Sequence, residues 1–584
     1  MKNFTEYFSE NSIISELCSE RMKLAGSRHR NVFLHRVSGD HPSAENARPD
    51  MDADLKGLFP PRRQWARFRS KRKDRLAEDA HAVNGNALRR AVHNLMRKNP
   101  GLPWARRLRE RASEIRFRAL DGPNTEFAPP RVTGDLKDPD THEYRPISLY
   151  GTNDKILQKL TARYLNDRLD FCFSSSSLAY RRRREPAINR DTALRLITEF
   201  RRRHSRVFVA EADLRNFMDC VDHQLARESL HAVIRQGKAL SPDLEIDPRA
   251  IQIHDAYLAS YDFTRDVLGR GLEMLMERDA KAVFTRPEDV LRKMRKDGEL
   301  GGIGIPQGGA ISCFITNVML HDVDMAVERL TIPGGCEILY LRYCDDMLIL
   351  SSDRAACQEA MTAYQRAVGC KMLPVHEPVD VFQRDGKPKP GYSNLRSKKP
   401  YLWSRPGDSG IPWIQFVGFE IRHDGLVRIR EKSLEKQRRK MSDEADKLIG
   451  AINPGRKTKD GIPVYAPGLR MDSRQILHCL EMKLIAMSVG RRTFGQPLPS
   501  CGDDIMPMCW ANGYQALWQA PYDPSQLKEL DRHRDRQIRR VRSLLNPLAE
   551  RQGSSQGSDD RKKGRLYHGA PFSYHGQFAR SQKG

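Results

Sequence analysis

The sequence predicts an α+β protein that folds into several domains. Its 584 residues exceed the length over which a single hydrophobic core usually grows. Hydrophobic residues make up 39% of the chain and charged residues 30%, as in proteins that fold over most of their length. From about residue 125 onward, short strand-like runs alternate with helical runs, which indicates that strands and helices share one body.

The first segment, residues 1–120, is predicted to be basic and mainly helical. Arg and Lys accompany apolar residues at helical spacing, and the aromatic side chains of Trp65, Phe68 and Trp104 lie among these charges. Two interpretations of this extension stay open: amphipathic helices that pack on the main body, and a surface that binds nucleic acid.

The later segments differ from one another in pattern. Residues 121–430 combine strand-like runs such as RVFVAEADL with helical runs such as NDKILQKLTARYLNDRLDF. Residues 431–550 carry apolar residues at helical spacing amid many charges, which predicts a helical domain. Residues 551–584 open with a Gly/Ser-rich linker and repeat the triplet Tyr-His-Gly, so we expect a tether with an aromatic docking segment or, equally, an unstructured tail.

The charge balance favours a polyanionic partner. Lys and Arg number 100 against 75 Asp and Glu, a formal net charge of +25, and contacts with phosphates release condensed counterions. Nucleic acid is therefore the first expectation, with a merely soluble basic surface as the alternative. The 11 cysteines include no CxxC pair, which argues against a disulfide framework or a zinc ribbon. No apolar run resembles a signal peptide or reaches 18 residues, so we expect a cytoplasmic protein without a membrane partner.

Two adjacent acids, Asp345 and Asp346, give the strongest local signal. They interrupt LYLRYCDDMLIL, in which two apolar, β-prone runs predict a hairpin with the acids at its tip. Adjacent carboxylates repel each other, and placing them beside buried strands is costly unless cations neutralise them. A plain surface turn is the alternative, since Asp is common in turns.

Two further blocks complete the chemically informative part of the chain. Asp213 ends the strand-like run RVFVAEAD, and three carboxylates on two adjacent strands would suit two Mg²⁺ ions about 4 Å apart, as used in phosphoryl transfer. Gly304, Gln307 and Gly308 belong to a Gly/Pro-rich loop that leads into an apolar helix. Such a loop lets the backbone approach a base or a sugar closely, although an ordinary tight loop explains the pattern as well.

In this order the three blocks resemble the motifs of the reverse-transcriptase family. The family patterns are D-x-x-x-[FY]-[FY], then G-x-P-Q-G-x-x-x-S ending in Asn, then Y-x-D-D. Here the blocks are Asp213 to Met218, Gly304 to Ser312 with Asn317, and Tyr343 to Asp346.

Further matches extend the resemblance over roughly residues 125–430. The run Tyr144-Arg145-Pro146-Ile147 is similar to the family's fingers block, and Phe416-Val417-Gly418-Phe419 is similar to the primer-grip hairpin that precedes the thumb.

The resemblance implies a right-hand polymerase. Fingers and palm, with an antiparallel palm sheet flanked by helices, would occupy residues 121–430, followed by an α-helical thumb or C-terminal domain and preceded by the basic extension. The implied activity is RNA-directed DNA polymerisation, a nucleotidyl transfer that uses deoxynucleoside triphosphates and two Mg²⁺ ions, or Mn²⁺ in their place. The implied residues are Asp213, Asp345 and Asp346 as catalytic acids and, with Leu214, as metal ligands; Arg131, Arg145, Phe217, Met218, Gln307 and Gly308 at the nucleotide; and Tyr343, Phe416 and Gly418 at template and primer.

Two positions depart from the family pattern. Met218 stands where relatives carry a Phe or Tyr that blocks a ribose 2′ hydroxyl, so sugar discrimination is expected to rest partly on Phe217 or to be looser. Pro378 lies near the place of a Lys that relatives carry after the hairpin, which leaves Lys371 and His376 as weak substitutes.

A narrower resemblance concerns the subgroup. The segment WIQFVGFEIRHDGLVRIR and the long helical C-terminus are similar to the bacterial defense-associated reverse transcriptases of the unknown groups. This implies DNA synthesis with a structured noncoding RNA as template or scaffold, in antiphage defense, with a second protein or a homo-oligomer in some members. Three alternatives stay open: template-independent or protein-primed synthesis by the same site, a mobile-element enzyme similar to those of group II introns, and a nucleic-acid-binding scaffold whose site has decayed.

Overall fold

The computed structural model describes residues 2–38, 53–69, 80–121, 125–138, 140–181, 190–284, 291, 302–331, 335–405, 410–452, 471–489, 510, 514, 517, 520–551 and 571–573. The chain forms two compact units. Unit one comprises Met1–Glu16, Arg109–Val417 and Ile421–Gly425, and unit two comprises Leu17–Leu108, Gly418–Glu420 and Leu426–Gly584. These boundaries differ from those of the four segments predicted from the sequence, because residues 17–108 belong to the same unit as the C-terminal residues.

Helices and strands are mixed along the chain, which confirms the α+β prediction. The α-helices of the described residues are α1 (Phe4–Tyr7), α2 (Glu10–Ser38), α3 (Arg62–Trp65), α4 (Ala80–Lys98), α5 (Pro103–Leu120), α6 (Thr152–Leu169), α7 (Arg190–Arg203), α8 (Phe217–Cys220), α9 (His223–Leu240), α10 (Pro248–Ala259), α11 (Leu272–Met276), α12 (Ala310–Glu328), α13 (Arg354–Cys370), α14 (Glu431–Ile452), α15 (Ser473–Val489) and α16 (Ser525–Arg551). The strands are β1 (Arg131–Asp138), β2 (Glu143–Leu149), β3 (Phe208–Ala212), β4 (Val283–Phe284), β5 (Ile338–Tyr343), β6 (Asp346–Ser351), β7 (Lys398–Leu402), β8 (Trp413–Phe416), β9 (Phe419–Arg422) and β10 (Val427–Ile429).

The central sheet of unit one has the strand order β5-β6-β3-β7. Strand β3 pairs antiparallel with both β6 and β7, and β5 pairs antiparallel with β6. All five residues of β3 are buried, since this strand has a neighbour on each edge and α13 packs across the sheet. The remaining strands form sheets in the orders β1-β2-β4 and β10-β9-β8.

Helix α12 is the core helix of unit one. Its sequence, AISCFITNVMLHDVDMAVE, is apolar on most sides, as expected of a helix that is surrounded by others. It packs against α6, α9 and α13. Among the described residues it is the one helix long and apolar enough to span a membrane by composition, and 72% of its apolar window is buried inside the protein. Since α12 begins directly after Gly309, its position also fixes the end of the Gly/Pro-rich loop.

Residues 235–284 of unit one are mainly helical. They contain the end of α9, α10, a π-helix over Phe263–Gly271, and α11. The antiparallel hairpin of β1 and β2 packs against this π-helix through β1.

Unit two contains helices from both ends of the chain. Helices α14 and α15 pack on α16. In the N-terminal part, the indole nitrogen of buried Trp65 donates a hydrogen bond to the Pro60 carbonyl oxygen over 2.7 Å. The Arg21 guanidinium lies 5.1 Å from the centre of the Trp65 ring. Aromatic and basic residues of the predicted extension therefore contact each other, and the two interpretations of this extension stay open.

The described residues of the C-terminal segment, 571–573, are buried, and two of them bond α16. Phe572 is buried, and the backbone nitrogens of Phe572 and Ser573 donate to the Asp531 carboxylate of α16 over 2.9 and 3.0 Å. The Tyr-His-Gly repeats at Tyr567 and Tyr574 lie outside the described residues.

Candidate active site

The strand register brings Asp213 next to Asp346. In the pairing of β3 with β6, Ala212 is opposite Met347. Asp213 follows Ala212 and Asp346 precedes Met347, so these two acids occupy the next register position. Paired residues on antiparallel strands have Cα atoms about 4.5 to 5.5 Å apart. The structure therefore places two of the three predicted catalytic acids at neighbouring strand ends.

Asp345 lies in the two-residue turn between β5 and β6. The last pair of this hairpin is Tyr343 with Asp346, which leaves Cys344 and Asp345 at the tip. The backbone of Cys344 has φ +59°, a left-handed conformation that two-residue hairpin turns favour and that non-glycine residues adopt at a cost. Asp345 is half-buried and Asp346 is exposed. The sequence-predicted hairpin with acids at its tip is confirmed.

A buried ion pair supports this turn from within unit one. The Arg342 guanidinium donates two hydrogen bonds of 2.7 Å to the Asp324 carboxylate of α12. Its Nη1 atom donates to the Cys344 carbonyl oxygen over 2.8 Å. Burial acts to lower the pKa of Arg342, but the adjacent Asp324 charge outweighs it and raises that pKa. The Tyr340 hydroxyl donates to the same carboxylate over 2.8 Å.

Polar side chains extend this network to the motif that ends in Asn317. Arg342 Nη2 donates to Ser177 Oγ over 2.8 Å, and Ser177 Oγ donates to Asn317 Oδ1 over 3.0 Å. Asn317 in turn donates to the Ala179 carbonyl oxygen over 3.0 Å. Sequence reasoning missed Arg342 and Asp324, although a charged residue inside an apolar strand and another inside an apolar helix are the available signals.

The Arg396 guanidinium forms an ion pair with the Asp213 carboxylate. Arg396 Nη1 donates to Asp213 Oδ2 over 3.2 Å, and the Arg396 side chain is 59% exposed. The backbone of Asp213 is held by Ser397 Oγ and by the backbone nitrogen of His376. Burial and the charges of Arg215 and Arg396 lower the pKa of His376 to about 4, so this imidazole is neutral at pH 7. Lys371, the other predicted substitute for the family Lys, donates to Asp322 and to Ser229.

The donor chemistry of the site fits Mg²⁺. Carboxylates and a backbone carbonyl such as that of Leu214 are the oxygen ligands that this ion prefers. Within the part of the chain that the structure describes, no group of three or more His, Cys, Asp and Glu side chains is gathered closely enough to hold a metal ion. The Asp213 carboxylate bonds the Arg396 guanidinium, which supplies positive charge there. The strand register suits a shared ion, and the two-metal site stays a prediction.

The Gly/Pro-rich loop is hydrogen-bonded to the segment that follows Asp213. The backbone nitrogen of Gly304 donates to the Val221 carbonyl oxygen over 2.8 Å, and that of Ile305 donates to the Met218 carbonyl oxygen over 2.7 Å. On its other side, the Gln307 carbonyl oxygen accepts from the Ser148 backbone nitrogen of β2 over 2.9 Å. The loop thus joins the Asp213 block to the β1–β2 hairpin.

Glycine is required at two positions of this loop. Gly308 has φ +107°, which side-chain-bearing residues rarely adopt. At Gly309, a Cβ atom would lie 1.7 Å from the Tyr257 hydroxyl oxygen, which is impossible without displacing that buried ring.

Asp219 was not foreseen as part of the site. Gln307 Nε2 donates to Asp219 Oδ1 over 2.9 Å, and Asp219 is 4% exposed. Burial raises the pKa of Asp219 to about 7, against the opposing effects of the Gln307 hydrogen bond and of the Arg145 and Lys137 charges.

The predicted phosphate-binding arginines lie on one hairpin. Arg145 of β2 is exposed and is opposite Asp135 of β1, whereas Arg131 is opposite Leu149. Because alternate residues of a strand share a face, both arginines lie on the same face, about 13 Å apart along the strands. Lys137, which sequence reasoning missed, shares with Arg145 the electrostatic contact with Asp219.

The two residues predicted near the sugar begin α8. Asn216, just before the helix, has φ +48°. Phe217 is 2% exposed and belongs to the core, while Met218 is half-buried. Leu214 is buried and forms an isolated backbone bridge with Val375.

The residues predicted to contact template and primer are placed as follows. Tyr343 is half-buried at the end of β5, and burial raises its pKa. Phe416 is buried, and Gly418 has φ +87° in the turn between β8 and β9, where the chain passes from unit one to unit two. Their roles stay predictions.

No protein-family model and no curated protein matches this chain. Similar solved structures include telomerase from Candida albicans in complex with a TWJ fragment of telomeric RNA, with a TM-score of 0.27 and 10% sequence identity. That match covers 73% of this chain and 63% of the telomerase chain. Apo telomerase from Candida tropicalis has a TM-score of 0.33 and 8% identity, over 99% of both chains. Likenesses this weak carry no argument about function, which rests on the chain's own residues.

Proposed function

We propose that this protein is a reverse transcriptase, a nucleotidyltransferase that polymerises DNA on an RNA template. The observation that carries the proposal is the register of β3 with β6. Asp213 and Asp346 occupy the register position next to the pair of Ala212 and Met347. The three acids are far apart in sequence, and the D-x-x-x-F, PQG and Y-x-D-D blocks belong to one unit of the fold.

Asp213, Asp345, Asp346 and the Leu214 carbonyl oxygen would hold the divalent ions. When bound there, the ions would supply Lewis-acid activation of a primer hydroxyl and neutralisation of charge at the leaving pyrophosphate. The protein's own contribution is to hold the carboxylates at adjacent strand ends and to keep the turn of Asp345 in place through the Arg342 bond to Cys344.

Basic side chains near the loop would bind the triphosphate. Arg145 is exposed on β2, and a guanidinium can bind phosphate through two parallel hydrogen bonds. Lys137 lies on the same hairpin as Arg145, and the charges of both residues act on the Asp219 carboxylate. Gln307 and Gly308 would contact the nucleoside. The loop that carries them is held in place by backbone hydrogen bonds on both sides.

Primer extension tests the activity. The purified full chain is incubated with Mg²⁺, four deoxynucleoside triphosphates and a DNA primer annealed to an RNA template. We expect extension by the wild type and background signal for Asp345→Asn and Asp346→Asn. Asp353→Asn is the matched control, because Asp353 is an exposed acid just beyond the other end of β6, where it caps α13.

Absence of extension by the wild type, or extension by Asp345→Asn at the wild-type rate, contradicts the proposal. Extension that persists after nuclease removal of all RNA, with a product unrelated to the template, would instead assign template-independent synthesis to the same site.

We also propose that the template or scaffold is a structured noncoding RNA and that the protein acts in bacterial antiphage defense. The formal net charge of +25 and the similarity of WIQFVGFEIRHDGLVRIR to the defense-associated enzymes support this proposal. Sequencing of co-purified RNA should recover one dominant structured species. Cells that carry the wild-type protein should form fewer plaques than cells that carry Asp345→Asn, and equal plaque counts across a broad phage panel would contradict the defense role.

A further inference from the structure

The C-terminal residues Phe572 and Ser573 are bound by a buried carboxylate on α16. Both residues are buried, and so is their partner, Asp531. The Asp531 carboxylate accepts from the backbone nitrogens of Phe572 and Ser573 over 2.9 and 3.0 Å, and from Ser573 Oγ over 2.7 Å. Burial raises the pKa of Asp531, and these hydrogen bonds oppose the rise. Since a carboxylate is costly to bury unless donors satisfy it, the C-terminal segment supplies what this face of α16 needs.

A row of aromatic rings leads from Phe572 to the turn between β8 and β9. The ring centre of Phe572 lies 6.0 Å from that of Trp510, and the ring centre of Trp510 lies 4.5 Å from that of Tyr514. The Tyr514 ring in turn meets Phe419 edge to face, with the ring centres 5.5 Å apart. Aromatic pairs favour such separations. These four residues, Phe572, Trp510, Tyr514 and Phe419, all belong to unit two and are called the aromatic row.

The aromatic row ends at the turn that contains Gly418. Phe419 begins β9 directly after Gly418, and a Cβ atom placed on Gly418 would lie 3.6 Å from the Tyr514 hydroxyl oxygen. Gly418 has φ +87°, and Val417 before it has φ +46°, a value that β-branched residues rarely adopt. Backbone of this kind persists where the surrounding structure holds it. The Tyr514 hydroxyl and the Arg430 backbone nitrogen, which donates to the Gly418 carbonyl oxygen over 3.0 Å, both contact this turn.

We propose that Phe572 is a positioning residue for the primer: bound to Asp531, it holds the aromatic row against the Gly418 turn and keeps this turn in the conformation that receives the primer strand. The inference rests on the proposed polymerase function and on the predicted place of Gly418 at the primer. It adds the C-terminal segment as a determinant of primer binding. Phe572 acts through Trp510 and Tyr514 and does not itself touch the primer.

Removal of the Phe572 ring should act on the turn and leave the attachment of α16 intact. Without this ring, Trp510 loses a packing partner, and the Tyr514 ring that packs on Trp510 gains freedom to move. Helix α16 is joined to β10 by other contacts. The Gln526 side chain accepts from the Ile429 backbone nitrogen and donates to the Ile429 carbonyl oxygen, each over 2.9 Å. The effect of losing Phe572 is therefore expected to be local.

Binding of a primer–template tests the proposal without any need for activity. A labelled DNA primer annealed to an RNA template is titrated with full-length wild type, Phe572→Ala, Asp531→Ala and the double variant, and fluorescence anisotropy gives the dissociation constant. The KM for the primer–template, the KM for the deoxynucleotide and kcat are then determined separately. Leu545→Ala is the matched control, because Leu545 is a buried residue of the same helix about 21 Å from Asp531 along the helix axis.

We expect Phe572→Ala to raise the dissociation constant and the KM of the primer–template about tenfold, as for the loss of one well-packed contact. The KM for the deoxynucleotide, and kcat at saturating primer, should stay at their wild-type values. Asp531→Ala should have the same effect and the double variant no larger one, because the two residues act as one unit. Phe572→Leu keeps the apolar volume and should regain most of the lost affinity. Leu545→Ala should bind the primer–template as the wild type does.

The results that overturn the inference are distinguishable from failure of the proposed function. A wild type that extends primers, together with Phe572→Ala and Asp531→Ala variants of unchanged primer affinity, removes the role of the C-terminal segment and leaves the polymerase function intact. Tighter primer binding by Phe572→Ala would mean that the bound segment hinders the primer, which is the opposite of the proposal. Equal losses in Leu545→Ala, with both variants folded by circular dichroism, assign Phe572 a structural role only. A wild type that adds no nucleotide removes the proposed function and this inference with it.

Discussion

The Arg342 guanidinium and the Asp324 carboxylate form an ion pair in the interior of unit one, directly behind the turn that carries Asp345. Their side chains are 0% and 1% exposed, and two hydrogen bonds of 2.7 Å join them. A buried pair of this kind contributes little net stability as a whole, but removal of one partner leaves the other charge without compensation.

Asp324→Asn should therefore destabilise the protein by roughly 3 kcal/mol, in the range measured for broken buried pairs. The measurement is the urea midpoint of unit-one unfolding, followed by circular dichroism. Asp322→Asn is the control on the same helix, because the Asp322 side chain is 53% exposed and its pair with Lys371 should contribute about 0 to 1 kcal/mol. Equal shifts for the two variants would contradict the view that burial makes the difference.

Arg396→Ala should tighten the binding of a divalent cation. The guanidinium of Arg396 bonds Asp213 Oδ2 and so competes with a metal ion for that carboxylate. An exposed pair contributes up to about 1 kcal/mol, which corresponds to roughly fivefold in affinity. Titration of Mn²⁺, with the free ion followed by electron paramagnetic resonance, measures this without any need for activity.

Arg384→Ala is the matched control for Arg396→Ala, because Arg384 is exposed on the same segment before β7. If both variants bind Mn²⁺ as the wild type does, Asp213 is not a ligand that Arg396 blocks.

Asp219→Asn should change how stability depends on pH. The pKa of Asp219 is raised from 3.8 to about 7 in the folded protein, mainly by burial, so the folded state binds a proton that the unfolded state releases between these values. The contribution of protonated Asp219 to the free energy of unfolding is complete below about pH 4 and is lost as the pH rises to about 7. The Asn side chain has no such dependence, so the variant should gain stability relative to the wild type from pH 5 to pH 8, by about 1.4 kcal/mol for each pKa unit.

Urea midpoints of both proteins at pH 5 and pH 8 check this sign. If the stability of the variant relative to the wild type stays constant over this range, or falls as the pH rises, the pKa of Asp219 is not raised by burial.

Helix α16 should bind the phosphate backbone of nucleic acid. Lys528, Arg532, Arg536 and Arg539 are exposed at helical spacing and form one basic stripe. The change of Arg532, Arg536 and Arg539 to Gln should weaken RNA binding. It should also reduce the slope of log K against log salt by about 0.7 for each phosphate of a single strand that the variant no longer neutralises. Fluorescence anisotropy with a labelled RNA at several salt concentrations measures both effects.

A variant with Lys238, Arg278 and Lys281 changed to Gln removes the same charge from α9 and from the connection between α11 and β4, and it is the control for the stripe. Equal slopes for the two triple variants would mean that net charge, and not the α16 stripe, governs binding.

The local part of the site could be predicted from the sequence, and the long-range part could not. Asp345 and Asp346 interrupt two apolar runs, a contrast visible within a few residues, and the structure has the expected hairpin. Asp213 ends a run of apolar residues, and burial of that run as a central strand places the acid at a strand end. Each of these features depends on neighbours in the chain.

Arg342, Asp324, Asp219 and Arg396 were not predicted, for one physical reason. A charged residue in a sequence is ordinarily predicted to be exposed to solvent. The partner that offsets the cost of burying it lies on another helix or strand. Arg396 lies just before β7, which pairs with β3, and it bonds Asp213 at the end of β3. Asp219 bonds Gln307, which lies on the loop before α12. Pairings of this kind require the tertiary structure.

The tip of the β5–β6 hairpin has little room to adapt, since Arg342 holds it through bonds to Cys344, Asp324 and Ser177. A stiff pair of carboxylates discriminates by ionic radius. Ca²⁺ is larger than Mg²⁺ and takes six to eight ligands at longer distances. Under the proposed polymerase function, Ca²⁺ should therefore bind but support no primer extension, and it should trap the complex with primer and nucleotide before bond formation.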